Sequence, residues 1–196
     1  MQKQRKPNRL AEYDYSQQGA YFITICIQNR HELLGEIVRT DNDCAMLNPS
    51  ALGLCVIEET EKLTKIYAHV TLDCYVVMPN HIHLILLIDA PEKNDQHTIG
   101  QTEQKDIGRT QFAPTISRVI KQWKGSITKK IGFSPWQKSF HDRVIRNVEE
   151  YMRIHKYIEN NPAQWEHDCF YVESQPVGAN CVRPMERMNM LKEMLK

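Results

Sequence analysis

The segment from Tyr75 to Ile88, Tyr-Val-Val-Met-Pro-Asn-His-Ile-His-Leu-Ile-Leu-Leu-Ile, constrains the fold more than any other part of the chain. Its apolar arms read as two strands, Val70 to Met78 and His81 to Ile88, and Pro79-Asn80 is a turn pair that closes them into an antiparallel hairpin. Side chains alternate faces along a strand, so His81 and His83 point the same way while Ile82 and Leu84 point the other. A lone histidine on a strand face is more often hydrogen-bonded and structural than a ligand. Two at i and i+2 in so hydrophobic a run are harder to assign that way, because burying both without partners is costly. Paired neutral imidazoles on a rigid element suit a divalent metal, with a third ligand drawn from elsewhere in the chain.

A chain of 196 residues, 41% hydrophobic and 25% charged, has the size and composition of one compact unit. No apolar run approaches the roughly 18 residues of a membrane span, so no membrane partner is expected. The basic start, Met1 to Arg9, has no apolar segment behind it, which argues against a secretory signal and for a cytoplasmic protein. The six cysteines are scattered, without a Cys-x-x-Cys pair, so neither a zinc ribbon nor a disulfide frame is indicated and buried, reduced thiols are expected. A net charge of +1 gives no global sign of nucleic-acid binding, although the first ten residues and the segment from Arg118 to Lys130 are locally basic.

Along the chain, Tyr21 to Ile27 reads as a first strand by its β-branched and aromatic content. Ala51 to Ile66 has apolar residues at helical spacing, with Pro49 at or near the first helical position. Residues 89–112 are polar and turn-rich and read as a long loop or insertion. Pro114 to Ile131 patterns as a basic amphipathic helix with Gly132 as its stop. Trp136 to Arg146 reads as a fourth strand, and Asn147 with Glu150 has the layout of a capping box for a third helix that starts at about Val148. That helix must end near Asn160-Asn161, because Pro162 disfavours helix in the residue before it. Past Pro162 the chain reads as irregular until Pro184 to Lys196, where a Met stripe could form a terminal amphipathic helix. The order β-α-β-β-α-β plus a helix corresponds to an α+β, ferredoxin-like split βαβ fold, an antiparallel sheet with helices on one face.

On the third helix, Tyr157 and Asn161 are four residues apart and share a face. A tyrosine oxygen can attack phosphorus, and an Asn carbonyl is a hard ligand for a cation already held by two imidazoles. The blander alternatives are a half-buried packing tyrosine and a helix C-cap before Pro162.

Taken in order, four segments resemble the HUH single-tyrosine transposases, most closely the REP-associated tyrosine transposases. They are Gly19-Ala-Tyr-Phe-Ile-Thr, Val77-Met-Pro-Asn-His-Ile-His-Leu, Trp136-Gln-Lys-Ser-Phe-His-Asp-Arg-Val-Ile-Arg-Asn147 and Tyr157-Ile-Glu-Asn-Asn-Pro162. The resemblance runs from about residue 13 to 165. It implies a transposase domain over 1–165 interrupted by the polar insertion at about 89–112, and a C-terminal extension, 166–196, with a short helix.

The same resemblance implies an enzyme that cuts and rejoins single-stranded DNA through a 5′-phosphotyrosine link, at hairpins formed by palindromic repeats. Tyr157 would be the nucleophile, with Tyr151 as rival, and His81, His83 and Asn161 would hold the metal. Mg²⁺ or Mn²⁺ fits an imidazole and amide-oxygen set, and no nucleotide cofactor is needed because the phosphotyrosine conserves bond energy. Arg118, Lys121, Lys124, Arg143 and Arg146 are candidate phosphate contacts, and Tyr13 or Trp123 could stack on an unpaired base. For each of these the ordinary alternative is a solvated cation or a packed aromatic ring. Monomer and homodimer both occur among such proteins. Two other functions compete: a phosphoesterase using metal-bound water, and a hairpin-binding protein without catalysis.

Overall fold

Strand β5 (His81–Ile88) is buried along almost its whole length, on both faces at once. A strand so covered belongs in the interior of a sheet that has layers on either side. The structure, a computed structural model, describes residues 17–89 and 115–171. In it β5 lies between β1 (Gly19–Cys26) and β4 (Val70–Met78), with β6 (His141–Ile145) on the far edge of β1. The four-stranded order is β4-β5-β1-β6 and each pairing is antiparallel. With α1 (Ala51–Glu61) between β1 and β4, and α3 (Ile116–Ile131) between β5 and β6, this is the expected α+β, split βαβ arrangement.

The period of two along each strand sorts the core into two layers. Tyr21, Ile23 and Ile25 of β1 and Ile82, Leu84 and Leu86 of β5 form one cluster with Leu52 and Val56 of α1 and Val119, Ile120, Trp123 and Ile127 of α3. On the opposite face, Ile85 and Ile145 pack against Ile154 and Ile158 of α4 (Val148–Asn160), with Phe22 and Leu87 alongside. The two crossover helices therefore share a face as expected, and the later helix covers the other one. His81 and His83 belong to the α4 face, because Ile82 and Leu84 belong to the α1/α3 face.

The hairpin turn is fixed from outside. Met78 pairs with His81, so the turn is the two residues Pro79 and Asn80, and their carbonyls accept Leu34 N–H at 2.9 Å and Ile27 N–H at 2.8 Å. Helix α1 is capped by Ser50, whose Oγ accepts Gly53 N–H at 3.0 Å, so Pro49 ends the preceding strand instead of occupying the first helical position. Gly53 is required by contact: a Cβ there would lie 2.0 Å from the Leu34 carbonyl oxygen. The helix expected over 51–66 is broken at Lys62 into α1 and the one-turn α2 (Leu63–Ile66). The break follows Thr60, whose hydroxyl bonds back to the Val56 carbonyl and competes with the helical ladder. Helix α3 ends on Gly132 at φ 79°, the left-handed conformation that glycine supplies without strain.

A second, two-stranded sheet, β2 (Gly35–Arg39) with β3 (Ala45–Pro49), was not legible in the sequence. Its residues are half-buried or exposed, so no apolar alternation marks it. The fourth strand is shorter than the Trp136–Arg146 span; Trp136 makes an isolated bridge to Ile27 before β6 begins. Cys26 is buried as expected of the thiols, but Cys44 and Cys169 are exposed. Most of the loop expected over 89–112 and all of the helix expected over 184–196 fall outside the described residues. Among the described residues no helix is long and apolar enough to cross a membrane.

Candidate active site

The register of β1 against β5 sets Thr24 opposite His83 and Cys26 opposite His81. His83 Nδ1 lies 2.8 Å from Thr24 Oγ1, and His81 Nδ1 lies 2.9 Å from Asn80 Oδ1. With their outer nitrogens engaged, the two rings turn their Nε2 atoms toward each other at 3.0 Å. Phe22 stacks on His83 at 5.2 Å between centroids and holds the ring from the side.

Helix α4 brings the second half. Its N-terminus is capped by Asn147 Oδ1, which accepts Glu150 N–H at 2.8 Å, while the Glu150 carboxylate accepts Arg146 N–H at 3.0 Å. Ile154 and Ile158 bury its inner face, and that fixes the rotation that points Tyr157 at the imidazoles. Tyr157 Oη lies 3.2 Å from His83 Nε2, within one chain. Asn161, four residues on, is 2% exposed, and its Nδ2 donates to Asp168 Oδ2 at 2.9 Å. Its Oδ1 is buried without a hydrogen-bond partner among the described residues.

Asp168 was not anticipated, and it lies past the boundary expected after residue 165. The chain after α4 stays compact: Asn161 keeps helical angles (φ −57°, ψ −43°) before Pro162, and Pro162–His167 forms a 3-10 turn. The buried Trp165 packs its ring 5.9 Å from that of His81, and the next residues deliver Asp168 to the site. Phe170 lies 4.5 Å from the His81 ring, its own ring under the Arg30 guanidinium at 5.2 Å. His81, His83 and Asp168 each offer a ligand atom, and these atoms all lie within 4.8 Å of one another. Sequence pattern gave no periodic signal here; the aromatic residues around Asp168 in an otherwise polar stretch were the available hint.

Burial pushes His81 down to about 4 and His83 to about 3, so both rings are neutral at physiological pH, the form in which an imidazole can bind a metal. Burial also raises the Tyr157 phenol, and the adjacent Asp168 carboxylate raises it further. Burial alone would raise the Asp168 carboxyl. The hydrogen bonds it accepts from Phe170 N–H, Asn161 and Tyr157 outweigh this and hold it below its usual range.

This donor set fits a divalent ion. Two neutral imidazole nitrogens 3.0 Å apart are spaced like adjacent ligands of one ion about 2.1 Å from each. The ionised Asp168 carboxylate is a hard oxygen donor within reach of both, and Asn161, hydrogen-bonded to it through Nδ2, has a buried Oδ1 with no hydrogen-bond partner among the described residues.

The remaining predicted residues are not gathered here. Tyr151, the rival nucleophile, instead donates to Asp73 Oδ2 at 2.8 Å. Arg118, Lys121 and Lys124 are on α3, across the sheet from the imidazoles, and Lys124 Nζ donates to the Gln137 and Ser139 carbonyls at 3.0 and 2.9 Å. Trp123 is packed in the core beside Trp136 at 4.9 Å, not available for stacking on a base. Arg143 does reach the α4 side, paired with Glu150 at 2.5 Å, and Arg146 is exposed at the start of α4. Tyr13 lies outside the described residues.

No family model matches the chain. An uncharacterized protein of Haemophilus influenzae is 32% identical over 174 residues, covering 86% of this chain and 94% of that one. A solved REP-associated tyrosine transposase bound to a REP hairpin is similar in fold, with TM-score 0.53 and 22% identity over 80% of this chain and 74% of that one. A second solved structure, from Deinococcus radiodurans, overlaps more loosely, with TM-score 0.39 and 18% identity over 82% of this chain and 97% of that one.

Proposed function

We propose that this chain, which belongs to one family with the Haemophilus influenzae protein, is a transposase that cleaves and rejoins single-stranded DNA through a 5′-phosphotyrosine intermediate. The observation that carries the reading is the convergence of the Tyr157 hydroxyl with two Nε2 atoms from a strand 74 residues earlier. The fold shared with the REP-associated transposase, a protein solved on a REP hairpin, supports a hairpin-forming strand as substrate.

In this reading His81, His83 and Asp168 hold a divalent metal, Mg²⁺ or Mn²⁺, with Asn161 Oδ1 as a further oxygen ligand. Such an ion polarises a non-bridging phosphate oxygen and stabilises the charge that develops there. The chain's own residues do the rest. Tyr157 presents its oxygen to phosphorus from a rigid helix, which removes the entropic cost of bringing a nucleophile to the phosphate. Asp168 Oδ2, already accepting the hydroxyl at 2.9 Å, is placed to take the phenolic proton as the oxygen bonds to phosphorus. The bond to the 3′-oxygen breaks, and the released 3′-hydroxyl reverses the step on another end. Aromatic cover from Phe22, Trp165 and Phe170 shields the imidazoles and restricts water.

The test is incubation with a labelled single-stranded hairpin and Mg²⁺ or Mn²⁺. A denaturation-resistant protein–DNA adduct is expected, lost with a chelator and lost in Tyr157→Phe. Cleavage that persists in Tyr157→Phe identifies a water-using phosphoesterase, and hairpin binding without nicking identifies a non-catalytic binder.

A further inference from the structure

The geometry points to a division of roles behind the two imidazoles: Asn80 holds His81 in one tautomer, while the Thr24 hydroxyl lets His83 exchange tautomers when a divalent cation enters between them. This inference rests on the metal-dependent reading above.

Asn80 is the fixed point. Its amide Nδ2 faces two backbone carbonyls, Arg30 at 3.3 Å and Phe170 at 2.9 Å. Carbonyls only accept, so the end of the amide that meets them must be the NH₂, and Oδ1 is left facing His81 Nδ1. An amide oxygen also only accepts, so His81 carries its proton on Nδ1 and presents a bare lone pair at Nε2. Asn80 is 1% exposed, so solvent does not compete for these bonds.

His83 has the opposite freedom. Its Nε2 lies 3.0 Å from the bare Nε2 of His81, and two bare lone pairs at that distance repel. In the metal-free protein His83 therefore protonates Nε2 and donates it to His81, with the Tyr157 oxygen 3.2 Å away as a second acceptor. Its Nδ1 is then an acceptor, and Thr24 Oγ1 at 2.8 Å donates to it. A cation bound to both Nε2 atoms needs the other arrangement. The proton leaves Nε2 to solvent, Nδ1 takes one up, and the ring stays neutral throughout. The Thr24 hydroxyl rotates from donor to acceptor.

A hydroxyl serves both states because it donates and accepts from one atom. The strand register explains why the two anchors differ. The residue opposite His83 is Thr24, but the residue opposite His81 is Cys26, a weak hydrogen-bonding group, so the anchor for His81 comes from the turn. Thr24 and Asn80 are thus positioning residues that act through the imidazoles.

The test is long-range proton–nitrogen NMR on the full chain labelled at histidine nitrogens, in chelator and again with saturating Mg²⁺ alone. His81 is expected as the Nδ1–H tautomer in both samples, and His83 is expected to change from Nε2–H to Nδ1–H. Thr24→Val, which keeps the shape and loses the hydroxyl, should weaken Mn²⁺ binding by about 10- to 100-fold while leaving the His81 tautomer unchanged. Thr24→Ser should restore it. An Nε2–H tautomer at His81 in the metal-free protein, an unchanged His83, or wild-type Mn²⁺ affinity in Thr24→Val overturns the inference. The tautomers are read without DNA, so absence of strand transfer alongside the expected spectra would remove the transposase reading and leave this one standing.

Discussion

The Tyr157 hydroxyl donates to Asp168 Oδ2 at 2.9 Å, and Asn161 Nδ2 donates to the same oxygen at 2.9 Å. The nucleophile candidate and the amide one turn after it thus meet on a single oxygen of the carboxylate that follows the 3-10 turn. That carboxylate disfavours the phenolate, since a like charge beside an ionising group opposes its ionisation. Asp168→Asn should therefore move Tyr157 ionisation to lower pH, although not to that of a free phenol, because burial is the larger cause of its rise. Phenolate absorbance against pH, with Tyr157→Phe subtracted, measures this. An unchanged or higher titration would show that the carboxylate does not face the hydroxyl in solution.

Acid should destabilise the metal-free protein in a defined window. An unfolded histidine takes up a proton near pH 6.5, whereas burial holds folded His81 neutral down to about 4. Between those values the unfolded state binds more protons, so stability is complete above pH 6.5 and declines as pH falls toward 4. His83, pushed to about 3, extends the decline in the same direction. The unfolding free energy from urea titrations in chelator should fall across this window by an amount on the order of a few kcal/mol, and the fall should shrink in His81→Gln.

Ile158 is 1% exposed and packs α4 against the sheet one residue from Tyr157. Ile158→Ala should cost about 2–5 kcal/mol in denaturant unfolding and reduce adduct formation beyond the loss of folded protein. Met152, on the same helix, is 61% exposed, and Met152→Ala should change stability by no more than about 0.5 kcal/mol. Equal effects at the two positions would contradict the packing of α4.

Lys124 should matter for stability and not for DNA. Its ammonium donates to the Gln137 and Ser139 carbonyls, and burial pushes it down to about 8. Lys124→Met should lower stability by about 1–3 kcal/mol while leaving hairpin affinity and its salt dependence unchanged. A shallower salt dependence in the variant would instead restore Lys124 as a phosphate contact.

Long-period signals were legible wherever burial was one-sided and sustained. The 3.6-residue pattern of Ile116 to Ile131, the Asn147 cap and the glycine stop at Gly132 located α3 and α4 to within a residue or two. The β2–β3 hairpin escaped because its residues are half-exposed, and the break at Lys62 escaped because a single back-bonded hydroxyl leaves no trace in hydrophobic spacing. That Arg118 and Lys121 sit across the sheet from the imidazoles was not legible either, because charge on a helix carries no information about which sheet face that helix covers.

The sequence by itself determined the strand periodicity that puts His81 and His83 on one face, and the helical spacing that puts Tyr157 beside Asn161. Both follow from local backbone geometry, which is fixed within a few residues. Only the tertiary structure decided that α4 packs on the imidazole face, that Thr24 and Asn80 hold the outer nitrogens, and that Asp168 joins the site. Those outcomes depend on strand register and on which apolar face each helix buries, so residues 59 and 74 positions apart meet for reasons that no local pattern contains.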